Sequence, residues 1–510
     1  MGDFGDEFLR VDRDAVALDG SVIRGLVPNN ATINVATQNT RSLIRMLAKL
    51  QVAGGVIAIP GRRFYLGPVK GATDSEVRAD IVIPDRVQLW FVPDGQLVPI
   101  SIAPGAPGYP VSFRPGTEPD PADPDPRYRV KFEIQGSIEA GIFQIFDVFL
   151  EAPNPRISPT TPAGTVVFTR HGVSALYPEW WGAVPWDGDP GAIRPGAVRR
   201  TTAALQACLD AAHRSMRDPN ASGASTPRPP LPVVLTNSYV IDDELSVGVP
   251  RAEVDMPRSA RDATWAPYNN DGIVIRGACG PASGGAANVW IRAWPDSPLF
   301  REEPPGGASD FPSSPGSYTP SVGRVVDGNR PTYGYRSLLG IRGVFGATVK
   351  DVGFDGGVAS RCVTLESVGA PMHHVGFEGC AFTNARAELV HVGGELRSPP
   401  EDSRTGAFLT LAGSSRWEGS QDLSNLRFLR CSFRTSLAVP SGVASMPSRC
   451  AVFTRASQSL GVGFEGCSFA GPANPMVHLT SGRYAFDGCH FRAEVIDGAE
   501  GGLDILLDHR

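Results

Sequence analysis

The sequence predicts an all-β protein wound as a parallel β-helix, and three observations carry that expectation. First, one phrase recurs in the last third of the chain: VGFEGCAF at 375–382, LRFLRCSF at 426–433, VGFEGCSF at 462–469 and YAFDGCHF at 484–491. Its grammar is Phe, two residues, Cys, one residue, Phe. A fifth, weaker copy, VGFDGG at 352–357, has Gly357 where the others carry cysteine. Second, the interval is short: 23 residues separate Phe354 from Phe377 and 22 separate Phe464 from Phe486, with 51 and 36 residues between Phe377, Phe428 and Phe464. A period of about 22 residues is too short for helix-pair repeats, which need more than about 30, and the leucine-rich-repeat signature is missing. Third, 58 glycines and 46 prolines among 510 residues demand many turns and few long helices.

In such a fold each coil stacks on the next at about 4.8 Å. The Phe and Cys of the phrase then form inward ladders, and Glu378-Gly379 or Asp487-Gly488 turns the corner between two strands. Cys380, Cys431, Cys467 and Cys489, four of the eight cysteines, share one place in the phrase, which makes them stacked core positions rather than a disulfide framework. No CxxC pair occurs, so zinc is not expected.

Composition bounds the rest. A hydrophobic content of 42% and a charged content of 20% describe an ordinary folded protein. At 510 residues the chain outgrows one compact core, so two domains or an elongated solenoid is expected. A net charge of −6 without a dense Lys/Arg stripe argues against a nucleic-acid partner. The opening MGDFGDEFLRVDRDAV has no apolar core of a signal peptide, and no stretch is apolar enough to span a bilayer, so membrane insertion is not expected. The expected location is cytoplasmic, or outside the cell as part of a phage-like or surface assembly.

Taken in order, residues 1–34 lack periodicity and read as an N-terminal arm. A helix follows with Thr40 as its cap and Leu43, Leu47 and Leu50 on one face. The β-rich runs 54–66 and 81–100, a proline-rich loop at 101–127 and strand-like text at 128–150 complete a smaller N-terminal β-module over 35–150. Residues 151–200 form a junction holding the motif YPEWWGA. A second helix, capped by Thr201 or Thr202 and carrying Leu205, Cys208, Leu209 and Ala212, opens the β-helix domain over 201–510. Helix, β-run, then Tyr65-Leu66 or Tyr239-Val240-Ile241: the same opening is used twice. Such a helix caps the exposed first coil of a solenoid.

The stretch YPEWWGA (177–183), TTAALQACLDAA (201–212) and the following PVVL…YVI run resemble the opening of pectate-lyase-superfamily proteins, among them glycoside hydrolase family 28-related and phage tailspike-like proteins. Trp181-Gly182-Ala183 and Asp187-Gly188-Asp189 are kept; PGAIRPGAVRR is inserted, and Arg199-Arg200 stand where the family has an aspartate pair. GSIEAGIFQIFD (136–147) is similar to the segment that precedes this opening. The resemblance implies a right-handed β-helix solenoid, a polysaccharide partner, lyase or hydrolase activity where there is catalysis, and homotrimeric assembly. The Gly-His-Gly motif of the family's hydrolases is absent.

Candidate site residues come from the phrase and its surroundings. Asp355, Glu378, Glu465 and Asp487 share its corner position, with Leu429 interrupting. Stacked carboxylates raise one another's pKa or attract a cation, which suits an acid/base pair for glycosidic cleavage or a calcium site; the plainer reading is a solvated corner. No resident cofactor is expected, and calcium is the one metal these residues suggest. Trp290 and Trp294, with Trp265, are the aromatics expected to stack on sugars. Arg386 and His391, beside Glu388 and Glu395, are expected to line a sugar groove. His373 and His374 would face opposite ways on a strand. Trp180 and Trp181 are expected to anchor the junction. The function expected is polysaccharide recognition, with degradation if a site is assembled. The competing expectation is a structural or assembly protein whose solenoid is a rigid scaffold for protein partners.

Overall fold

The computed structural model describes residues 8–67, 79–99, 130–146, 164–168, 172–214, 231–248, 272–278, 288–301, 325–326, 330–331, 336–366, 372–393, 422–435, 450–454, 458–472, 476–479, 482–493 and 505–507. The loop expected at 101–127, with Trp265 and Glu395, lies outside them. The chain divides into two units, Met1–Val184 with Ala203–Val233, and Pro185–Thr202 with Val234–Arg510. Both are built mainly of parallel β-sheets.

In the first unit, helix α1 (Ile33–Ala53) precedes strands Gly55–Ile59, Arg63–Leu66 and Ala79–Ile83. The next three strands, Val87–Phe91, Gln96–Pro99 and Val130–Ile134, pair with these in parallel and in the same order. Ser137–Glu139, Phe146 and Gly164–Phe168 add a third layer. Alternation explains the packing: Val87, Leu89 and Phe91 are all buried, while Trp90 between them is exposed. The expected arm instead contributes Phe8–Arg10, paired with Gly55–Ile59. Thr40 does not cap α1 but lies inside it, where its hydroxyl donates to Ala36 O (3.1 Å) and Gly67 O (2.7 Å). The hydroxyl ties the helix to the strand beside it, and Thr32 takes the cap position. Gly54 ends the helix at φ 81°, where a side chain would also strike Arg86 O.

The division between units falls within α2 (Pro195–Arg214). Neither Thr201 nor Thr202 caps it. The helix begins at Pro195, whose missing N–H and fixed φ suit a first turn, and the two threonines donate back to Ala197 O and Val198 O. Ile193 and Val198 pack with Val240, covered by Trp186 and Trp294.

The second unit has three seven-stranded sheets. The first contains Val233–Leu235, Ile273–Gly277, Phe345–Lys350, Met372–Glu378, Asp422–Leu429, Gln458–Glu465 and Arg483–Asp487. The second contains Tyr239–Ile241, Val289–Ala293, Val352–Asp355, Ala381–Thr383, Ser432–Arg434, Ser468–Gly471 and His490–Ala493. The third contains Leu245–Gly248, Ser337–Arg342, Arg361–Glu366, Glu388–Val392, Cys450–Thr454, Val477–Leu479 and Ile505–Leu507. The chain visits first, second and third in rotation, and each such round pairs in parallel with the one before.

Register stacks like on like. Val349, Phe377, Phe428, Phe464 and Phe486 are successive partners in the first sheet. Tyr239, Ile291, Phe354, Phe382, Phe433, Phe469 and Phe491 are partners in the second. Ring centroids lie 4.9 and 4.8 Å apart at Phe428–Phe464–Phe486, and 4.6 Å apart at both steps of Phe433–Phe469–Phe491, with nearly parallel planes. Cys380, Cys431 and Cys467 are buried free thiols that donate to carbonyls of the preceding round, as at Cys431 Sγ to Phe377 O (3.4 Å). The corner between the two Phe columns is left-handed in five rounds, at Asp351, Gly379, Arg430, Gly466 and Gly488, with φ between 53° and 62°. Glycine carries that conformation without the strain borne by Asp351 and Arg430.

The fifth copy of the phrase is framed differently from the expectation. Phe354 pairs with Phe382, and Val349 is the residue that precedes Phe377 in its column. The copy that matches is therefore ATVKDVGF at 347–354, with Val349, Lys350, Asp351 and Val352 standing for Phe377, Glu378, Gly379 and Cys380. VGFDGG resembles the phrase because Phe354, in the second column, happens to be followed by an acid and a glycine, Asp355 and Gly356, as Phe377 is in the first. Among the described residues no helix is long and apolar enough to cross a membrane.

Phe464 contacts rings both above and below it, so Phe464→Ala is expected to cost about 3–5 kcal/mol in urea unfolding. An unchanged unfolding midpoint would remove Phe464 from the core column.

Candidate functional site

The four carboxylates expected at one corner do not form one column. Glu378, Leu429, Glu465 and Asp487 are successive partners in the first sheet, whereas Asp355 is in the second, between Arg292 and Thr383. The five-residue change of frame removes it from the stack. Glu378 is paired with Lys350 and Arg430, both at 2.6 Å. The Lys350 hydrogen bond, supported by Arg430, holds its carboxyl below the usual range. Glu465 meets Arg427 at 2.5 Å, and Asp487 beside it is exposed. This is a charge-compensated surface, not a pair of acids sharing a proton. Among the described residues no group of three or more His, Cys, Asp or Glu is arranged to hold a metal ion.

Asp355 belongs to a different constellation, on the second sheet. Trp290 and Gly353 are register partners, and a Cβ on Gly353 would come within 2.4 Å of the indole. The glycine thus lets the half-exposed ring lie close against its strand. Two residues on, Arg292 pairs in register with Asp355 and donates from Nη1 to Gly188 O at 3.2 Å. That contact fixes the Asp187-Gly188-Asp189 turn, which is also held by Trp186 Nε1 donating to Asp189 O (2.9 Å) and by the Asp189 carboxylate accepting from Gly191 N (2.9 Å). Asp355 accepts from Asn384 Nδ2 at 3.0 Å. Burial pushes the Asp355 carboxyl up, and Asn384 and Arg292 only partly oppose that. An aromatic face, a cation, an amide and a readily protonated carboxyl thus meet on one sheet face.

The other expected binding residues go elsewhere. Trp294 packs on the Ile193, Val198 and Val240 cluster. Arg386 is buried and donates to Phe300 O at 2.8 Å. His391 is 1% exposed, with Nδ1 3.8 Å from Glu388, so it faces packed protein and not an open groove. His373 and His374 both make edge contacts with Phe345, because His374 at φ 56° breaks the strand alternation. Trp180 and Trp181 are buried within the first unit, where Phe146 lies 5.8 Å from Trp181.

Sequence reasoning missed a buried ionic network on the third sheet. Arg342 lies between Glu244 (2.6 Å) and Glu366 (3.1 Å), and Arg361 pairs with Glu388 at 2.7 Å. Arg336 pairs with Asp243 at its edge. Burial pulls the Arg342 pKa down, but the two carboxylates outweigh it and the net shift is upward. Gly340 leaves the space, since a Cβ there would sit 2.1 Å from Arg342 Nη1. Arg342 and Glu366, like Arg361 and Glu388, are register partners, so their complementary charge was a signal only once the register was known.

Arg342→Met is expected to cost about 3–5 kcal/mol, because it strands two buried carboxylates, and Arg342→Met with Glu366→Gln is expected to recover part of the loss. Equal stability of the single variant and the parent would mean that the ion pairs of Arg342 contribute nothing net to folding. A folded pKa raised above the unfolded one means that ionised Asp355 opposes folding above the folded pKa and costs nothing below the unfolded one. Asp355→Asn is therefore expected to melt higher than the parent at pH 7, the gap closing by about pH 3. A gap that does not change with pH would assign the effect to something other than ionisation.

No family model matches the sequence, and no curated protein matches it. Among solved structures, ORF18 of Geobacillus virus E2 is similar at 12% identity and a TM-score of 0.20 over 62% of this chain. The alignment covers 59% of that protein, so this chain spans under two thirds of its length.

Proposed function

We propose that the second unit is a right-handed parallel β-helix that binds polysaccharide along the outer face of its second sheet, as in a tailspike-like or envelope-associated protein. Rotation through three sheets in constant order supports the solenoid, and crossovers between parallel strands are almost always right-handed. The observation that carries the binding site is the Trp290 indole laid close against Gly353 beside Arg292, Asp355 and Asn384. A sugar ring offers an apolar face to an indole and hydroxyls to a guanidinium, an amide and a carboxyl. Stiff sheets hold these groups without a large ordering cost on binding.

If the site cleaves its ligand, Asp355 is the proton donor, because a carboxyl with a raised pKa retains its proton nearer neutrality. In a lyase Arg292, its register partner, is the base-side cation. The partner is a polysaccharide and the assembly a homotrimer.

The test is a glycan array followed by assays for new reducing ends and for unsaturated uronates on any glycan that binds. Trp290→Ala is expected to weaken binding about tenfold, a loss of about 1.4 kcal/mol, without altering the melting temperature. Undiminished binding by that variant would move the site elsewhere. Binding without cleavage makes the protein a recognition module, and no binding on the array favours the scaffold. A scattering mass of one chain would remove the trimer.

A further inference from the structure

The cysteine column of the second unit ends near the surface. Cys380, Cys431 and Cys467 are buried, Cys489 is half-buried, and all four thiols are free. His490 N donates to Cys467 O (2.8 Å), Ser468 N to Cys431 O and Ser432 N to Cys380 O (both 2.9 Å), so consecutive cysteines are neighbours in register. Parallel neighbours stand about 4.8 Å apart, inside the 4.4–6.8 Å range that a disulfide spans between α-carbons. The side chains lean the right way. Cys489 Sγ lies 3.4 Å from Phe464 O, a carbonyl of the strand that leads into Cys467, so its sulfur stands on the Cys467 side of its own corner. The corner before it is left-handed at Gly488, with nothing within 4 Å of where a side chain would be, which leaves room for adjustment. In the pairs further up the column both members are buried, so a reagent in solution reaches Cys489 first.

We propose that Cys467 and Cys489 are a redox-modification site: they form a disulfide that staples the last round of strands to the one before, by exchange with a small disulfide such as oxidised glutathione. The Cys489 thiolate attacks one glutathione sulfur, and a glutathione thiolate leaves with the proton that Cys489 gave up. Cys467 then attacks the Cys489 sulfur of the mixed disulfide and expels the second glutathione. Two protein thiols lose two electrons, one glutathione disulfide gains them, and both protons end on glutathione. Contacts from the Cys431 thiol, and then from Cys489, hold Cys467 below the ordinary thiol pKa, which suits it to the second attack. Burial raises Cys489, so the first attack is the slow step and quickens as pH rises.

The experiment treats the folded full chain with oxidised glutathione, blocks free thiols by alkylation and maps peptides without reduction. The expected product is a Cys467–Cys489 cross-link that reduction reverses, that Cys489→Ser abolishes and that Cys431→Ser keeps. Backbone amides of residues 483–493 are expected to exchange about tenfold more slowly in the oxidised form. A glutathione that stays on Cys489 with Cys467 free, a link through another pair, or no modification at all would each overturn the proposal.

Discussion

The distance between hydrogen-bonded parallel strands, about 4.8 Å, is also a comfortable distance between stacked rings. The second unit rests on that coincidence. Because the strands keep register, the backbone brings Phe428 over Phe464 and Phe464 over Phe486 at 4.9 and 4.8 Å, and neither the sheet nor the rings must yield. Each buried ring contributes on the order of 1.5–3 kcal/mol, and the adjoining column from Phe354 to Phe491 meets the first edge-on, as at Phe464–Phe469. Two columns of rings in contact leave little freedom for one round to slide on the next.

The same register would be ruinous for charge, since stacking like on like also stacks acid on acid. The chain avoids this by alternation. Lys350 stands over Glu378, Arg292 over Asp355, Arg342 over Glu366 and Arg361 over Glu388. Among the described residues Arg276 over Lys350 and Glu465 over Asp487 break the pattern, the second with Arg427 reaching across to Glu465. Pairing that sits at the surface in the first sheet becomes a buried network in the third, where an unpaired member would be far more costly. At the proposed binding face the alternation holds, yet burial leaves Asp355 reluctant to ionise despite its cation.

What was legible in the sequence was whatever repeats. Phe and Cys columns and the glycine corners follow from identical text at similar positions, and the twice-used opening corresponds to the helices Ile33–Ala53 and Pro195–Arg214, each followed by parallel strands taken in rotation. What was hidden depended on partners distant in sequence. The frame of the fifth copy is hidden because Val349, Lys350 and Val352 keep the shape of the phrase but not its letters. Both helices begin earlier than a threonine cap would place them, at Ile33 and Pro195, since Thr40 and Thr202 bond inside their helices, and to Gly67 O and the Asp242 carboxylate as well. Arg386 and His391 looked like groove residues since nothing local says that a polar side chain is enclosed. That Trp290 stands near Arg292 and Asp355 shows only once strands 63 residues apart are paired, Ile291 with Phe354.

Successive rounds differ widely in length, with 28, 51, 36 and 22 residues between consecutive members of both Phe columns, yet the step from first column to second is five residues in every one of those rounds. In these rounds the variation is discharged at the other two corners, whereas in the round before them the step from Ile275 to Ile291 takes 16 residues. A coiled coil cannot do this, because one inserted residue rotates every later side chain out of phase. Here phase is restored at each return to the sheet, so length and register are separately heritable. New surface can be added wherever the chain leaves a sheet, even at the corner that is five residues long in the later rounds, so variation among such chains should concentrate between strands and spare their register.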